Sequence, residues 1–243
     1  MATLTTRWLC SLSRTGRHDD TIDADNGNDR VYAGSGHDTV FAGTGGDAVF
    51  GEGGNDRLYG QEGDDVLDGG SGTDLLDGGN GDDTLQGGAG ADRLVGGNGN
   101  DVLVGGSGND TLMGGSGDDT YRFGIGDGQD LLVRSDATSG SNDTLAFDAG
   151  IDPLDVILQR SGDDLRLSLY GTNDLFTVSN WYGGAANQIE TIQAGSGEHL
   201  LNSQVDQLIQ AMAGFTAQTG LSWEEGIAQR PKDVQAILAA SWE

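Results

Sequence analysis

Residues 69–88 read GGSGTDLLDGGNGDDTLQGG. Two glycines open each nine-residue unit, an aspartate stands sixth (Asp74, Asp83), and an aliphatic residue stands eighth (Leu76, Leu85). The pattern is a costly one. Glycine loses more conformational freedom on ordering than any other residue. Carboxylates stacked about 5 Å apart repel by about 1 kcal/mol per neighbour even in water.

Outward from this stretch the register holds without a miss. Aspartate recurs at Asp20, Asp29, Asp38, Asp47, Asp56, Asp65, Asp74, Asp83, Asp92, Asp101, Asp110 and Asp119. Two residues after each comes Ile22, Val31, Val40, Val49, Leu58, Leu67, Leu76, Leu85, Leu94, Leu103, Leu112 or Tyr121. A period of nine fits neither a helix nor a continuous strand, so it describes a short strand followed by a tight turn. One unit has too little apolar surface to fold alone, whereas stacked units bury a continuous core. Two units close a coil of 18 residues, so repeats n and n+2 stack at the sheet spacing of roughly 4.8 Å. The twelve repeats predict about six coils.

Composition sharpens the problem. Glycine is 44 of 243 residues, and Asp plus Glu outnumber Lys plus Arg 39 to 12, a formal charge of −27. Residues 18–125 carry 22 acidic and four basic residues, so the repeats alone hold −18. This charge argues against nucleic acid or anionic membrane as a partner, and it requires a neutralising cation. Calcium suits the donors, taking six to eight oxygens from carboxylates and backbone carbonyls. Magnesium holds its water and wants octahedral geometry, and zinc wants the histidine and thiolate that are scarce here.

The single cysteine, Cys10, excludes an internal disulfide framework. Glycine has no Gly-X-Y period, which excludes collagen. No apolar run reaches the length of a membrane-spanning helix, and the N-terminal stretch lacks the apolar core of a conventional export signal. No HExxH, CxxC or GxSxG motif occurs, and the paired aspartates such as Asp64-Asp65 recur by register instead of facing a cleft. The expectation is a chain that is not an enzyme.

The units GGSGTDLLD, GGNGDDTLQ, GGAGADRLV, GGNGNDVLV and GGSGNDTLM resemble the RTX nonapeptide GGxGxDxUx, over residues 18–130. That resemblance implies a mainly all-β chain, a right-handed parallel β-roll, with calcium between successive turns. The sixth-position aspartates Asp29 to Asp119 would supply carboxylate oxygens, and the first, second and fourth glycines would supply carbonyls. In the cleanest repeats these are Gly69, Gly70, Gly72, Gly78, Gly79, Gly81, Gly87, Gly88, Gly90, Gly96, Gly97, Gly99, Gly105, Gly106 and Gly108. Beyond the strict register, GDGQD offers Asp127 and Asp130 for a final site. Roughly eight to ten calcium ions are expected on this basis. Early repeats depart from the pattern, with Ala24, Ala33 and Ala42 first and Asp25, Glu52 and Gln61 second.

Four regions are expected: a disordered leader at 1–17, the roll at 18–130, a β-rich capping domain at 131–200, and a helical C-terminal region at 201–243. Segments LAFDAGI, RSGDDL and QIETI resemble the domain that follows repeats in RTX proteins, with a hairpin turn at Ser161-Gly162-Asp163. Trp181 and Tyr182 read as core or capping residues. Val205, Leu208, Ile209, Met212 and Phe215 share one helix face, Ser222 and Glu225 form a capping box, and Pro231 opens a further helix. The resemblance also implies a secreted, extracellular or cell-surface protein. Bacterial type I secretion would export it unfolded through a C-terminal signal, and it would fold on meeting calcium outside. The alternative is an extracellular adhesin or structural module binding a cell surface or glycan.

Overall fold

The computed structural model describes residues 6–7, 12–14, 16–134 and 141–242, with side chains from residue 16 onward. Among these residues two long sheets face each other, one of eleven strands and one of ten, and the chain alternates between them as far as Thr144–Phe147. Leu75–Asn80 lies in the first and Thr84–Ala89 in the second, joined by the turn Gly81-Asp82-Asp83. Neighbouring strands are parallel and pair across one coil, so Leu76 faces Leu58 and Leu94, and Leu85 faces Leu67 and Leu103. This is a parallel β-roll built from coils of two nonapeptides, followed by a smaller β region and C-terminal helices.

Alternation along each strand decides what is inside. In Leu75–Asn80 the side of Leu76 and Gly78 is buried, while Leu75, Asp77 and Gly79 face out. Each coil therefore adds one large aliphatic residue per sheet to a ladder running from Ile22 to Leu112 in one sheet and from Val31 to Tyr121 in the other. On the outer faces of the early coils, Tyr32 stacks on Phe50 at 4.9 Å and Phe41 on Tyr59 at 5.1 Å. The Arg30 guanidinium lies 4.7 Å from the Phe50 ring.

The end of the roll is not a break. Leu112 pairs with Leu132 and Leu132 with Val178, while Tyr121 pairs with Leu145 and Leu145 with Ile192. The region after residue 131 thus extends the same two sheets, with excursions inserted between strands. The hairpin Val156–Ser161 and Asp164–Leu169, turning at Gly162-Asp163, adds antiparallel strands at the edge. Phe123 meets Phe147 and Phe176 edge-on, and Trp181 is buried. Tyr182 is half-buried, its hydroxyl 3.1 Å from Asp206 Oδ1 and its ring under the Arg160 guanidinium.

Three helices close this end: α1 (Asn202–Thr219), α2 (Trp223–Gln229) and α3 (Pro231–Leu238). The apolar face of α1 buries Val205, Leu208, Met212 and Phe215, with Ile209 half-buried, against Val156–Ser161 and His199–Leu201. Ser222 and Glu225 form the reciprocal capping box of α2. The expected leader at 1–17 is described only in part. Thr6–Arg7 and Leu12–Arg14 pair with Thr21–Asp23 and Arg30–Tyr32, so the backbone there already continues the two sheets. The remainder of residues 1–15 lies outside the described residues.

Candidate metal sites

The turns bring the sixth-position aspartates into two ladders, one along each edge of the roll. In each, Oδ1 accepts the backbone N–H of the aspartate one coil earlier. Asp74 N–H donates to Asp92 at 2.8 Å and Asp92 N–H to Asp110 at 2.7 Å along one edge. Asp65 N–H donates to Asp83 and Asp83 N–H to Asp101, both at 2.8 Å, along the other. One carboxylate oxygen is thus fixed by the fold itself.

The second oxygen is not. Oδ2 of every aspartate from Asp38 to Asp119 in the register, and of Asp130, is buried without a hydrogen-bond partner. A buried, half-solvated carboxylate is costly, and burial raises the pKa of these groups. Asp56, Asp65, Asp92, Asp101 and Asp110 are pushed up to about 6, Asp83 and Asp119 to about 7, and Asp130 to about 8. In Asp83, after burial, neighbouring carboxylates add to the rise: Asp101, Asp65 and Asp64.

First-position glycines keep room for these oxygens. A Cβ on Gly87 would lie 2.7 Å from Asp92 Oδ2 and 2.5 Å from the Gly105 carbonyl oxygen. On Gly69 it would lie 2.7 Å from Asp74 Oδ2 and 2.6 Å from the Gly87 carbonyl oxygen. A carboxylate oxygen and a carbonyl of the next coil therefore converge on a space that any other residue would fill. Among the described residues no group of three acidic, histidine or cysteine side chains is placed to hold a metal ion by itself. Any ion here would take most of its ligands from backbone carbonyls, as the all-oxygen chemistry of calcium permits. The donor set fits calcium.

Where the repeats depart from glycine, the backbone keeps the same shape. Asp25, Glu52 and Gln61 hold left-handed φ values of 69°, 68° and 78°, each costing about 1 kcal/mol in a residue with a Cβ. The carbonyls of Asp25 and Glu52 accept the ladder N–H of Thr44 and Ser71 at 3.0 Å, and the Ser71 hydroxyl also reaches the Glu52 carbonyl at 3.4 Å.

The two candidates beyond the strict register separate. Asp130 joins its ladder, accepting the Asp110 N–H at 3.0 Å across 20 residues. Asp127 stands apart, its Oδ2 accepting the Gly124 N–H at 2.6 Å. The structure also adds carboxylates that the register does not reach. Asp143 accepts the Asp119 N–H at 3.0 Å across 24 residues, and Glu190 accepts the Asp143 N–H at 2.8 Å across 47. The signal for them lies in Asp143-Thr144-Leu145 and Glu190-Thr191-Ile192, which repeat the acidic-x-aliphatic core of the nonapeptide after long insertions.

Two family models match this chain. The model of the RTX calcium-binding nonapeptide repeat (4 copies) matches in overlapping placements from residues 14–49 to 95–130. The haemolysin-type calcium binding protein related domain matches residues 164–193. The crystal structure of extracellular lipase LipA from Serratia marcescens aligns at 20% identity over 64% of this chain, with a TM-score of 0.26. The chain spans 40% of that protein's length.

Proposed function

This chain belongs to the RTX calcium-binding nonapeptide-repeat family, and from that premise we propose that it is a calcium-dependent folding and export module of a secreted protein. The observation that carries the reading is the buried Oδ2 left without a partner in turn after turn. Family membership implies an extracellular protein and, since these repeats are not catalytic, argues against an enzymatic role. Among the described residues no helix is long and apolar enough to cross a membrane.

The proposed ligands are Oδ2 of Asp38 to Asp119 and of Asp130, with carbonyls of the first, second and fourth glycines of the repeats. Calcium, when bound, supplies the positive charge that joins adjacent coils and cancels their repulsion. The aspartate would contribute twice, Oδ1 fixing the register of the preceding coil and Oδ2 ligating the ion. First-position glycines hold the space open. Without neutralisation the stacked carboxylates oppose the compact state, so folding is coupled to binding.

Type I secretion machinery is the proposed partner. The apolar face of α1 is buried against the sheets in the folded chain, so a transporter would read this segment before the roll forms. Low calcium inside the cell would keep it accessible.

Limited proteolysis with size-exclusion chromatography tests the folding claim. In chelator the chain should elute as an expanded species cleaved throughout residues 18–130. In millimolar calcium it should be compact and protected, with magnesium no substitute. Equal protection in chelator and in calcium would defeat the proposal. Saturable calcium-dependent binding to cells or glycans, without export of a fused cargo, would favour the adhesin reading instead.

A further inference from the structure

The carboxylate ladder through Asp83, Asp101 and Asp119 ends differently from the way it runs. Asp101 donates its N–H to Asp119, Asp119 to Asp143, and Asp143 to Glu190 Oε2. At Asp101 and Asp119 the second oxygen is buried without a hydrogen-bond partner. At Asp143 it lies 2.9 Å from Arg134 Nη2, with the two side chains only 1% and 3% exposed. The same guanidinium lies 3.5 Å from Glu190 Oε2, donates to the Gln188 carbonyl, and reaches Ser141 Oγ at 3.2 Å.

We propose that Arg134 is a built-in cation closing this ladder, and that Asp143, Glu190 and the Gln188 carbonyl form a latent divalent-cation site masked by its guanidinium. This rests on the reading that the turns before it ligate calcium. The partners of Arg134 are two carboxylates, a backbone carbonyl and a hydroxyl, an all-oxygen set of the kind a hard cation takes. A guanidinium satisfies such a set with a charge that does not titrate and five donors in a fixed fork. It is covalently attached, so this turn needs no dissolved ion to form.

The opposite edge ends by a related device. Asp174 accepts the Gly126 N–H on Oδ2 at 2.9 Å and the Gly128 N–H on Oδ1 at 3.0 Å, so both its oxygens are satisfied by backbone. The two edges of the roll therefore both close on protein groups. Arg134 and the backbone at Gly126 and Gly128 supply a seat for the first calcium-dependent coil.

The test uses the full chain and calcium chloride, reading ion stoichiometry by equilibrium dialysis and the calcium midpoint of folding by circular dichroism. Arg134→Gln should bind one more calcium ion than the wild type, with a raised midpoint, because this turn now waits for an ion. Arg134→Gln with Asp143→Asn should return to the wild-type number, since the unmasked site has lost its central ligand. Arg134→Lys should keep the wild-type number. Unchanged stoichiometry and midpoint in Arg134→Gln would overturn the proposal. If Arg134→Gln stays unfolded at saturating calcium, folding of Arg134→Lys supports the charge role and equal failure of both refutes it. A wild type that binds no calcium would instead defeat the underlying reading.

Discussion

Leu94 and Phe176 lie in the same eleven-stranded sheet, yet their surroundings are held together by different means. Around Leu94 each coil contributes one large aliphatic residue per sheet, two backbone turns, and two carboxylates whose Oδ2 lacks a partner. Around Phe176 the core is wide: Phe123, Phe147, Leu167, Val178 and Trp181 are all buried, and α1 closes the end. A buried leucine contributes about 1.5–3 kcal/mol, against about 1–2 kcal/mol lost for every backbone residue ordered. On that balance the repeats lack the apolar burial of the C-terminal end, and in the proposed reading they depend on what their carboxylates bind. The C-terminal end can rely on apolar burial.

The largest break in this comparison is Phe176→Ala. It should destabilise the chain by about 3–5 kcal/mol, by chemical denaturation in calcium, and should also raise the calcium midpoint of the repeats that build on this end. An unchanged midpoint would mean that the repeats fold independently of it.

Gly87→Ala attacks the other region. The new Cβ would push on Asp92 Oδ2 and the Gly105 carbonyl oxygen, a cost of about 1–3 kcal/mol of the kind seen in overpacked sites. The effect should appear as weaker calcium affinity, read by calorimetric titration, and should nearly vanish in chelator.

Acidity sharpens the contrast further. In the ion-free fold burial raises Asp83 and Asp119 to about 7 and Asp130 to about 8, whereas an unfolded aspartate titrates near its ordinary value of about 3.9. The folded ion-free state then binds more protons than the unfolded one, so its relative stability rises as pH falls from about 8 towards 4. Above that window the benefit is gone. With calcium the sign reverses, because protons compete for the same oxygens. Circular dichroism in chelator should gain β signal on acidification, while the calcium midpoint should rise from pH 8 to pH 5. Matching pH trends with and without the ion would contradict the assignment of these carboxylates.

The smallest change is Gln61→Gly, at φ 78°. It should stabilise the calcium-loaded roll by about 1 kcal/mol through relief of left-handed strain, visible as a higher melting temperature.

These regions also differ in how legible they were. The nonapeptide fixes strand, turn, register and inward face locally, so the Leu76–Leu94 pairing and the aspartate ladders follow from spacing. The helix boundaries at Ser222 and Pro231 rest on local capping chemistry and were readable for the same reason. After Asp119 the ladder continues through Asp143 and Glu190, but across 24 and 47 residues. No fixed period marks such steps, because the inserted chain leaves the roll and returns. Arg134 was illegible for a stronger reason, since its role depends on Asp143 and Glu190 meeting in space. Asp127 shows the converse: its place near the register suggests a ligand, and its local contact, the Gly124 N–H on Oδ2, sets it off the ladder.

The central claim is that neutralising the repeat carboxylates is part of folding, and its most direct test is far-UV circular dichroism of the purified chain titrated from chelator into millimolar calcium. The account predicts a cooperative gain of β signal with calcium and none with magnesium. A full β signal already present in chelator at neutral pH would contradict it.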